Sequence, residues 1–538
     1  MRLSKIKFEN YARLVDREIE VREHLVLVGA NDVGKSSFLR MLDLTLGASV
    51  AQLYANITVN DFRDSAIPLI IEVTLADLDP EAEGAYFPDE IRIEPSTNVA
   101  TLTIQLRAEA DDDDSVSIQR SAPSGGTGRQ LSRDQVARLG WKFLSATSQV
   151  RDLREDKRSA VDDMLEVIEL GDEKNAFDSL AAAFQDNLNS SEKLGELRTK
   201  LASQLSKALP EQIKREHLSF VSGASADQDV LSDVRLQVQK NGVTHNLSEQ
   251  SDGTRALYAI ALYDLMSVGA NIVGIDEPEI HLHPTSQRSL ARLLRSSASQ
   301  KVIATHSSDI VGAFDPDSVV VVRNGGQVVQ PQAGFMSDDE KMRIRWWVRD
   351  RLEPLTAAHV IAVEGISDRI ILEQVATLTE RDLDRIGATV LEAGGANEMV
   401  PIEKLFGDRG FNIPMALLID EDAEAATAEK LEVPVEQLPQ HSVWVSRVDL
   451  EDEYVDALGP EVVWQALVSG GHFASNQLRQ CEASGPGGER TAADVASFCR
   501  KKSDYKVRAA MSVASVMTEA AARKIKSIND LLSEIVGA

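Results

Sequence analysis

Hydrophobic and polar residues alternate from the start of the chain. Leu3, Ile6 and Phe8 stand between polar neighbours in RLSKIKFEN, a strand pattern, and HLVLVGA is a short apolar run that closes on glycine. Between Ile67 and Arg107 the runs PLIIEVTLADL and ATLTIQLRAEA alternate again, and the spacing predicts antiparallel strands. They are followed by the acidic tract Asp111 to Asp114 and the loop SAPSGGTGRQLS. From Arg151 to Leu209 the period changes. Met164, Leu165 and Ile168, then Leu194, Leu197, Leu201 and Leu205, recur at helical spacing, and Pro210 ends the run. A helical insertion used for dimer contact is expected there. Strands and helices resume at Leu218, and NGGQVVQPQAGFMSDDE after Val322 reads as linker. Beyond it HVIAVEG, a strand near Val390 and MALLIDED alternate with helical stretches such as SDRIILEQVATL, which predicts a parallel α/β sheet. The expected class is α/β, and no internal repeat is visible.

A length of 538 residues allows several domains, and 43% apolar with 26% charged residues is the make-up of a folded globular chain. The net charge of −28 repels phosphate, so any nucleic-acid contact must be a local patch. Ser497 to Lys526 carries eight basic residues against Asp504 and Glu519 and is one candidate. KMRIRWWVRDR, with Arg343, Arg345, Arg349 and Arg351 around Trp346 and Trp347, is a second, although packing of a linker helix explains its tryptophans better. Cys481 and Cys499 are the only cysteines, which argues against a disulfide scaffold or a Cys-based zinc site. The opening MRLSKIKFENYARL lacks the apolar core of a signal peptide, and no stretch approaches the roughly 18–20 apolar residues of a membrane span. A cytoplasmic protein without a membrane partner is expected.

GANDVGKS, Gly29 to Ser36, fits the phosphate-loop pattern G-x-x-x-x-G-K-[ST] between an apolar strand and the helical run SFLRMLDLTL. Gly29, Asn31 and Gly34 would wrap phosphate with backbone N–H groups, Lys35 would reach the β- and γ-phosphates, and Ser36, followed by Ser37, would ligate magnesium at the helix start. ANIVGIDEPE is an apolar strand ending in Asp276, suited to the magnesium shell, and Glu277, suited to polarising water. His306 ends a further apolar strand in VIATHSSD. His281 and His283 in IHLHP have no third ligand at zinc spacing and read as a loop.

A second acidic group follows. VIAVEGISDRIIL places Glu364 at a strand end and Asp368 four residues on, near a helix start; MALLIDEDA places Asp420 and Asp422 at the end of another strand. In a parallel sheet these four acids converge at the carboxyl edge, where mutual repulsion calls for a divalent cation, and oxygen-only ligands suit Mg2+ or Mn2+.

The order of phosphate loop, long insertion, LSEQSDGTR, Asp-Glu strand and His306 resembles the ATP-binding-cassette heads, and among them the branch of RecF and the structural-maintenance-of-chromosomes proteins. That resemblance implies that Ser251 and Gly253 close on ATP held by a second subunit, hence a homodimer or higher oligomer. Glu364, Gly365, Asp368, Asp420 and Asp422 look like a Toprim domain, and the combination resembles the OLD (overcoming lysogenisation defect) family of ATP-dependent endonucleases, to which the Gabija nuclease subunit belongs. The resemblance implies two divalent ions, a further acid after the Asp-x-Asp strand (Glu451, with Glu453 as alternative), and a transition-state lysine, Lys506 rather than Lys501 or Lys502. It also places a phosphate-approaching loop at Gly394 and Gly395 behind Glu392.

The expected architecture is thus a cassette-type ATPase in two parts, 1–150 and 211–335, with the helical insertion 151–210 between them, a linker at 336–355 and a Toprim domain with C-terminal helices at 356–538. The implied function is ATP-gated, metal-dependent DNA cleavage, in phage defence or DNA processing, with catalytic residues Glu277, His306, Glu364, Asp420 and Lys506, cofactors ATP and Mg2+ or Mn2+, and a helicase as a compatible partner. The alternative is a non-cutting DNA-binding ATPase whose Toprim domain is a scaffold. Topoisomerase chemistry would need a breakage domain around Tyr454 or Tyr505, which is not evident.

Overall fold

The computed structural model describes residues 1–537 apart from 12, 94–98, 112–114, 126–127, 146–182, 210–211, 223–233, 241, 247–253, 255–256, 259–270, 281, 338–351, 395–401, 403–404 and 432. Contacts divide it into two compact units, one within Met1–Gln330 and one formed by residues 331–337 and 352–537. Met164, Leu165 and Ile168 of the expected insertion, and the basic tryptophan segment from Arg343 to Arg351, lie outside the described residues.

The first unit is built on a mostly parallel sheet. Strands β1 (Leu25–Val28), β2 (Trp141–Ser145), β3 (Ile272–Asp276), β4 (Gln300–Thr305) and β5 (Val319–Val322) lie in the order β5-β1-β4-β3-β2, all parallel, and Val328–Val329 adds an antiparallel edge beside β5. β1 and β4 are buried along their whole length, as strands covered on both faces must be. Because neighbours run parallel, the ends of β1, β3 and β4 open on one edge, the usual ligand edge of such sheets. Helix α1 (Lys35–Leu46) leaves β1 through Gly34, whose φ of 116° suits glycine. Gly29 is equally constrained, since a Cβ there would lie 2.2 Å from the carbonyl oxygen of Val322.

α1 also packs on a second, antiparallel sheet that includes Arg2–Glu9, Leu69–Ala76 and Ala100–Ala110, where every second residue is buried and Ile6 pairs with Val73 and Val73 with Ile104. The rings of Phe8 and Phe38 join the two layers edge to face at 5.7 Å. The layers are also joined by Arg120, 1% exposed, whose Nη1 donates to Ala48 O (2.7 Å), Leu44 O (3.3 Å) and Thr45 O (3.5 Å) at the C-terminal end of α1. Burial lowers the Arg120 pKa, and the carbonyl end of the helix dipole keeps the guanidinium in place. Helix α2 (Glu192–Ala208), capped by Ser191, buries Leu201 and Leu205 against Leu218 and Tyr258 and ends before Pro210.

The second unit has a four-stranded parallel sheet of β6 (His359–Val363), β7 (Ala388–Glu392), β8 (Met415–Asp420) and β9 (Val443–Ser446), in the order β7-β6-β8-β9. Helices α4 (Ile366–Leu378), α5 (Glu421–Lys430) and α6 (Leu450–Leu458) each follow a strand of this sheet, and α7 (Ala492–Arg500) and α8 (Ser503–Val516) close the core; α3 (Pro284–Ser296) belongs to the first unit. One hydrophobic cluster joins Ile361, Leu372, Leu418, Tyr454, Phe498 and Val513. Among the described residues no helix is long and apolar enough to cross a membrane.

Arg120→Leu leaves two carbonyls of α1 and that of Ala48 just beyond it without their charged donor, a loss of roughly 2–3 kcal/mol. A fall of several degrees in the thermal midpoint of the full chain is expected; an unchanged midpoint would show that water caps the helix equally well.

Candidate functional site

In the first unit the residues singled out by the phosphate-loop motif meet at the carboxyl edge of the sheet. Lys35 is 4% exposed and donates to Gly29 O (3.1 Å) and Ala30 O (2.9 Å), while its Nζ lies 2.7 Å from His306 Nε2. His306 Nε2 is also 3.3 Å from Glu277 Oε1. One ring nitrogen cannot accept from an ammonium and donate to a carboxylate at once. Burial first, and then Lys35, push the His306 pKa down, so the neutral ring accepts from Lys35. Burial lowers Lys35 as well, against the pull of Glu277 and Asp276.

Ser36 Oγ donates to Asp276 Oδ1 at 3.2 Å, and burial raises the Asp276 pKa. Ser37 is half-buried in the first turn of α1, and Asn31 is exposed in the loop. Glu277 adopts a left-handed φ of 46°, with its N–H on Ala304 O at 2.8 Å. Sequence reasoning missed Glu279, whose Oε1 accepts the backbone N–H of His306 and so fixes the loop that carries it. The third acid of DEPE was visible, but no motif assigns it a role. His283 caps α3, accepting from Thr285 N–H at 3.4 Å. Ser251, Gly253 and His281 lie outside the described residues.

The second unit gathers carboxylates at the corresponding edge of its own sheet. Glu364 follows β6, Asp420 ends β8 and Asp422 lies in the first turn of α5; each offers an oxygen within 4.8 Å of the other two. Asp420 N–H donates to Glu364 Oε1 (3.2 Å), and Leu450 N–H donates to Asp420 Oδ1 (3.3 Å). Lys506, on α8, places Nζ 3.4 Å from Asp420 Oδ2 and 3.3 Å from Glu451 Oε2, the latter an ion pair but not a hydrogen bond. Asp368, in the first turn of α4, accepts from Gly365 N–H (3.0 Å) and Ser367 Oγ (3.1 Å) and lies outside the close triad. Gly394 N–H donates to Glu364 O at 3.2 Å, and Gly395 lies outside the described residues.

Glu453 faces elsewhere. Its Oε2 accepts from Ser527 N–H (3.2 Å) and Oγ (2.8 Å), and its Oε1 accepts from Arg447 N–H (3.2 Å). Asp449, missed in the sequence, caps α6 and pairs with Arg500 at 3.0 Å, and Arg500 also pairs with Asp452. The pattern Asp-x-x-Asp at a helix start was the signal available for it.

Burial raises the pKa of Glu364 to about 7, of Asp368 to about 6, of Glu451 to about 7 and of Asp449 to about 6. Burial alone would lower Lys506, but Glu451, Asp420 and Asp368 together raise it above its ordinary value. At an effective dielectric of about 20, two carboxylates roughly 5 Å apart repel by about 3 kcal/mol. Lys506 offsets part of that repulsion, pairing with two of the five acids. The all-oxygen donor set, its excess negative charge and the buried Glu451 oxygen without a hydrogen bond fit a divalent cation held by Glu364, Asp420 and Asp422.

Residues 25–312 match the family model described as "AAA domain, putative AbiEii toxin, Type IV TA system", more than half of the chain. The chain belongs to this AAA-domain family. Residues 355–422 match the "Overcoming lysogenization defect protein-like, TOPRIM domain" model, so the AAA domain is joined to an OLD-like Toprim domain. Glu451 and Lys506 lie beyond the residues that this second match covers. OLD nuclease of Thermus scotoductus is 24% identical over 78% of this chain and 82% of its own length. Endonuclease GajA of Bacillus cereus is 20% identical over 73% and 71%, and the "Retron Ec83 probable ATPase" of Escherichia coli is 21% identical over 75% and 86%. The chain is homologous to the first two, and its fold is mixed α/β.

Two expectations follow from this geometry. Folding raises the pKa of Glu364, Asp368 and Glu451 above the ordinary 3.8 to 4.5, so these three groups hold more protons in the native state than in the unfolded chain. In EDTA the stability of the second unit should therefore be full below about pH 4 and fall as pH rises to about 7, and Mg2+ or Mn2+ should raise the thermal midpoint more at pH 8 than at pH 5. A metal-free midpoint flat across this range would count against the carboxylate cluster as its cause.

The second concerns Val448, which precedes Asp449 with a φ of 66° although it is β-branched and 55% exposed. Glu421 Oε2 accepts its N–H at 2.9 Å, and Glu453 holds Arg447 beside it. Such strain costs roughly 1–3 kcal/mol. Asparagine tolerates this region, so Val448→Asn should raise the urea midpoint; a lower midpoint would show that the Val448 side chain is itself stabilising.

Proposed function

We propose that this protein is a DNA endonuclease dependent on divalent metal and gated by ATP. The observation that carries the reading is the convergence of Glu364, Asp420 and Asp422 with Lys506 and Glu451 at the carboxyl edge of one parallel sheet. Homology to OLD nuclease and endonuclease GajA supports it.

Mg2+ or Mn2+ at this centre would be held by Glu364, Asp368, Asp420, Asp422 and Glu451 and would supply Lewis acidity toward a phosphodiester and a water of lowered pKa. Lys506, held between Asp420 and Glu451, is placed to meet the negative charge that grows on the phosphoryl oxygens. Glu364, beside Asp420 and Asp422, would hold the ion and orient the water it carries toward the phosphodiester. Arg500 keeps Asp449, and with it the start of α6, in register with Asp420.

On the ATPase side Lys35 would exchange the carbonyls of Gly29 and Ala30 for phosphate oxygens, which releases His306 Nε2 for the nucleotide or for Glu277. Ser36 and Asp276 are paired as magnesium holders are in phosphate-loop sites. Ser251 and Gly253 would act across a dimer, and this dimer, a helicase partner and a role in phage defence follow from the family resemblance. The cytoplasm is the matching location.

Plasmid cleavage with Mg2+ or Mn2+, with and without ATP, tests the reading. Asp420→Ala should abolish cutting, at least 100-fold, and leave ATP hydrolysis within about two-fold, whereas Lys35→Ala should abolish ATP hydrolysis. Loss of both activities in Asp420→Ala would contradict separate sites, and intact ATPase activity without cutting under either metal would favour the non-cutting ATPase.

A further inference from the structure

The segment from Ser497 to Lys526 is basic in a chain of net charge −28, and the structure sorts its cations by what they touch. Arg500 is taken by Asp449 and Asp452, and Lys506 by Asp420 and Glu451. Arg508 pairs with Asp504 at 3.1 Å, Arg523 with Glu519 at 2.8 Å and Lys526 with Asp530 at 2.9 Å. Lys501, Lys502 and Lys524 pair with no carboxylate among the described residues. Lys524 stands in a separate turn. Lys501 and Lys502 are adjacent, exposed, and form the whole connection between α7 and α8.

Lys501, at the carboxyl end of α7, is favoured by that helix dipole, and its presence needs no further reason. Lys502 is different. It occupies the N-cap of α8, where Ser, Thr, Asp or Asn is preferred; its side chain caps nothing, and its charge faces the positive end of the dipole. Its ammonium rests 5.4 Å from the ring centroid of buried Tyr505. Lys502 precedes Lys506 by four residues, and its carbonyl accepts the Lys506 N–H at 3.0 Å, so the two lysines stand one turn apart on the chain. The inner lysine is committed to the acids and the outer one is open to solvent.

We propose that the Lys501–Lys502 turn docks the sugar-phosphate backbone of the strand being cut, beside the phosphodiester met by Lys506. This rests on the nuclease reading above and adds to it where the strand lies. A phosphate backbone is the partner whose chemistry matches two adjacent cations that pair with no carboxylate among the described residues and stand one turn from Lys506; an acidic protein surface would have no reason to adjoin that centre. The neighbouring negative charge, Asp504, is already neutralised by Arg508.

The test uses the full chain, supercoiled plasmid and a series of NaCl concentrations, comparing wild type with Lys501→Ala/Lys502→Ala and with Lys501→Arg/Lys502→Arg. The alanine pair should raise KM for DNA about ten-fold near physiological salt with kcat within about two-fold, and lower the slope of log KM against log salt by about 1.8. The arginine pair should restore both. A thermal midpoint equal to or above wild type checks that the alanine pair is folded. An unchanged KM and slope, or a fall in kcat alone, while wild type cuts normally, would overturn the docking turn and leave the nuclease reading standing. Wild type that neither binds nor cuts plasmid would overturn the nuclease reading itself, and this inference with it.

Discussion

Carboxylates that a parallel sheet delivers to one edge cannot all be ionised beside a single lysine. In the second unit Glu364 follows β6 and Asp420 ends β8, the helices after them add Asp368 and Asp422, and α6 adds Glu451 after β9. Burial raises the pKa of Glu364, Asp368 and Glu451, so each holds its charge only with help from a neighbour. Lys506 reaches two of the five. Much of the surrounding structure serves to hold this arrangement against its own repulsion. Gly365 and Ser367 satisfy Asp368, Leu450 N–H fixes Asp420, Arg500 draws Asp449 inward, and Glu421 and Glu453 clamp the strained turn at Val448.

The first unit meets the opposite electrostatic problem at the carboxyl edge of a parallel sheet with a different strand order. There a buried cation, Lys35, is the group that needs partners, and without phosphate it takes them from its own loop and from His306. In the function proposed above, nucleotide would exchange the partners of Lys35 rather than fill an open cradle, and His306 would lose its contact with Lys35 while Glu279 still accepts its backbone N–H.

Much of this was legible in the sequence because strand ends are legible. An apolar run closing on Asp or Glu announces both a buried strand and a carboxylate at its edge, as for Glu364, Asp420 and Asp276, and His306 was placed by the apolar run before it. What a strand does not announce is the rotation of the next helix. Glu451 and Glu453 stand two residues apart in VDLEDEY, so their side chains point about 200° apart around α6. Only the packing of Leu450, Tyr454 and Val455 into the core decides that Glu451 turns toward Lys506 and Glu453 toward Ser527. Asp449 and Glu279 were overlooked for a related reason: each acts by fixing backbone, Asp449 as a helix cap that Asp-x-x-Asp could have signalled and Glu279 in a loop for which no short motif exists.

Lys506 shows how the core supports a placement that local rules disfavour. Its helix begins with a lysine at the N-cap and carries a second cation one turn later, at the end of the dipole where acids are preferred. Neither choice helps α8 to form. The helix is held instead by aromatic packing: Tyr505 meets Phe473 at 5.2 Å and Phe498 at 5.3 Å, and Phe498 meets Trp464 at 6.1 Å. Tyr505 and Lys506 are neighbours, so the residue that anchors the helix also aims the lysine at Asp420 and Glu451. Lys506 therefore owes its place to apolar packing and to the two acids it meets, against the preference of its own helix.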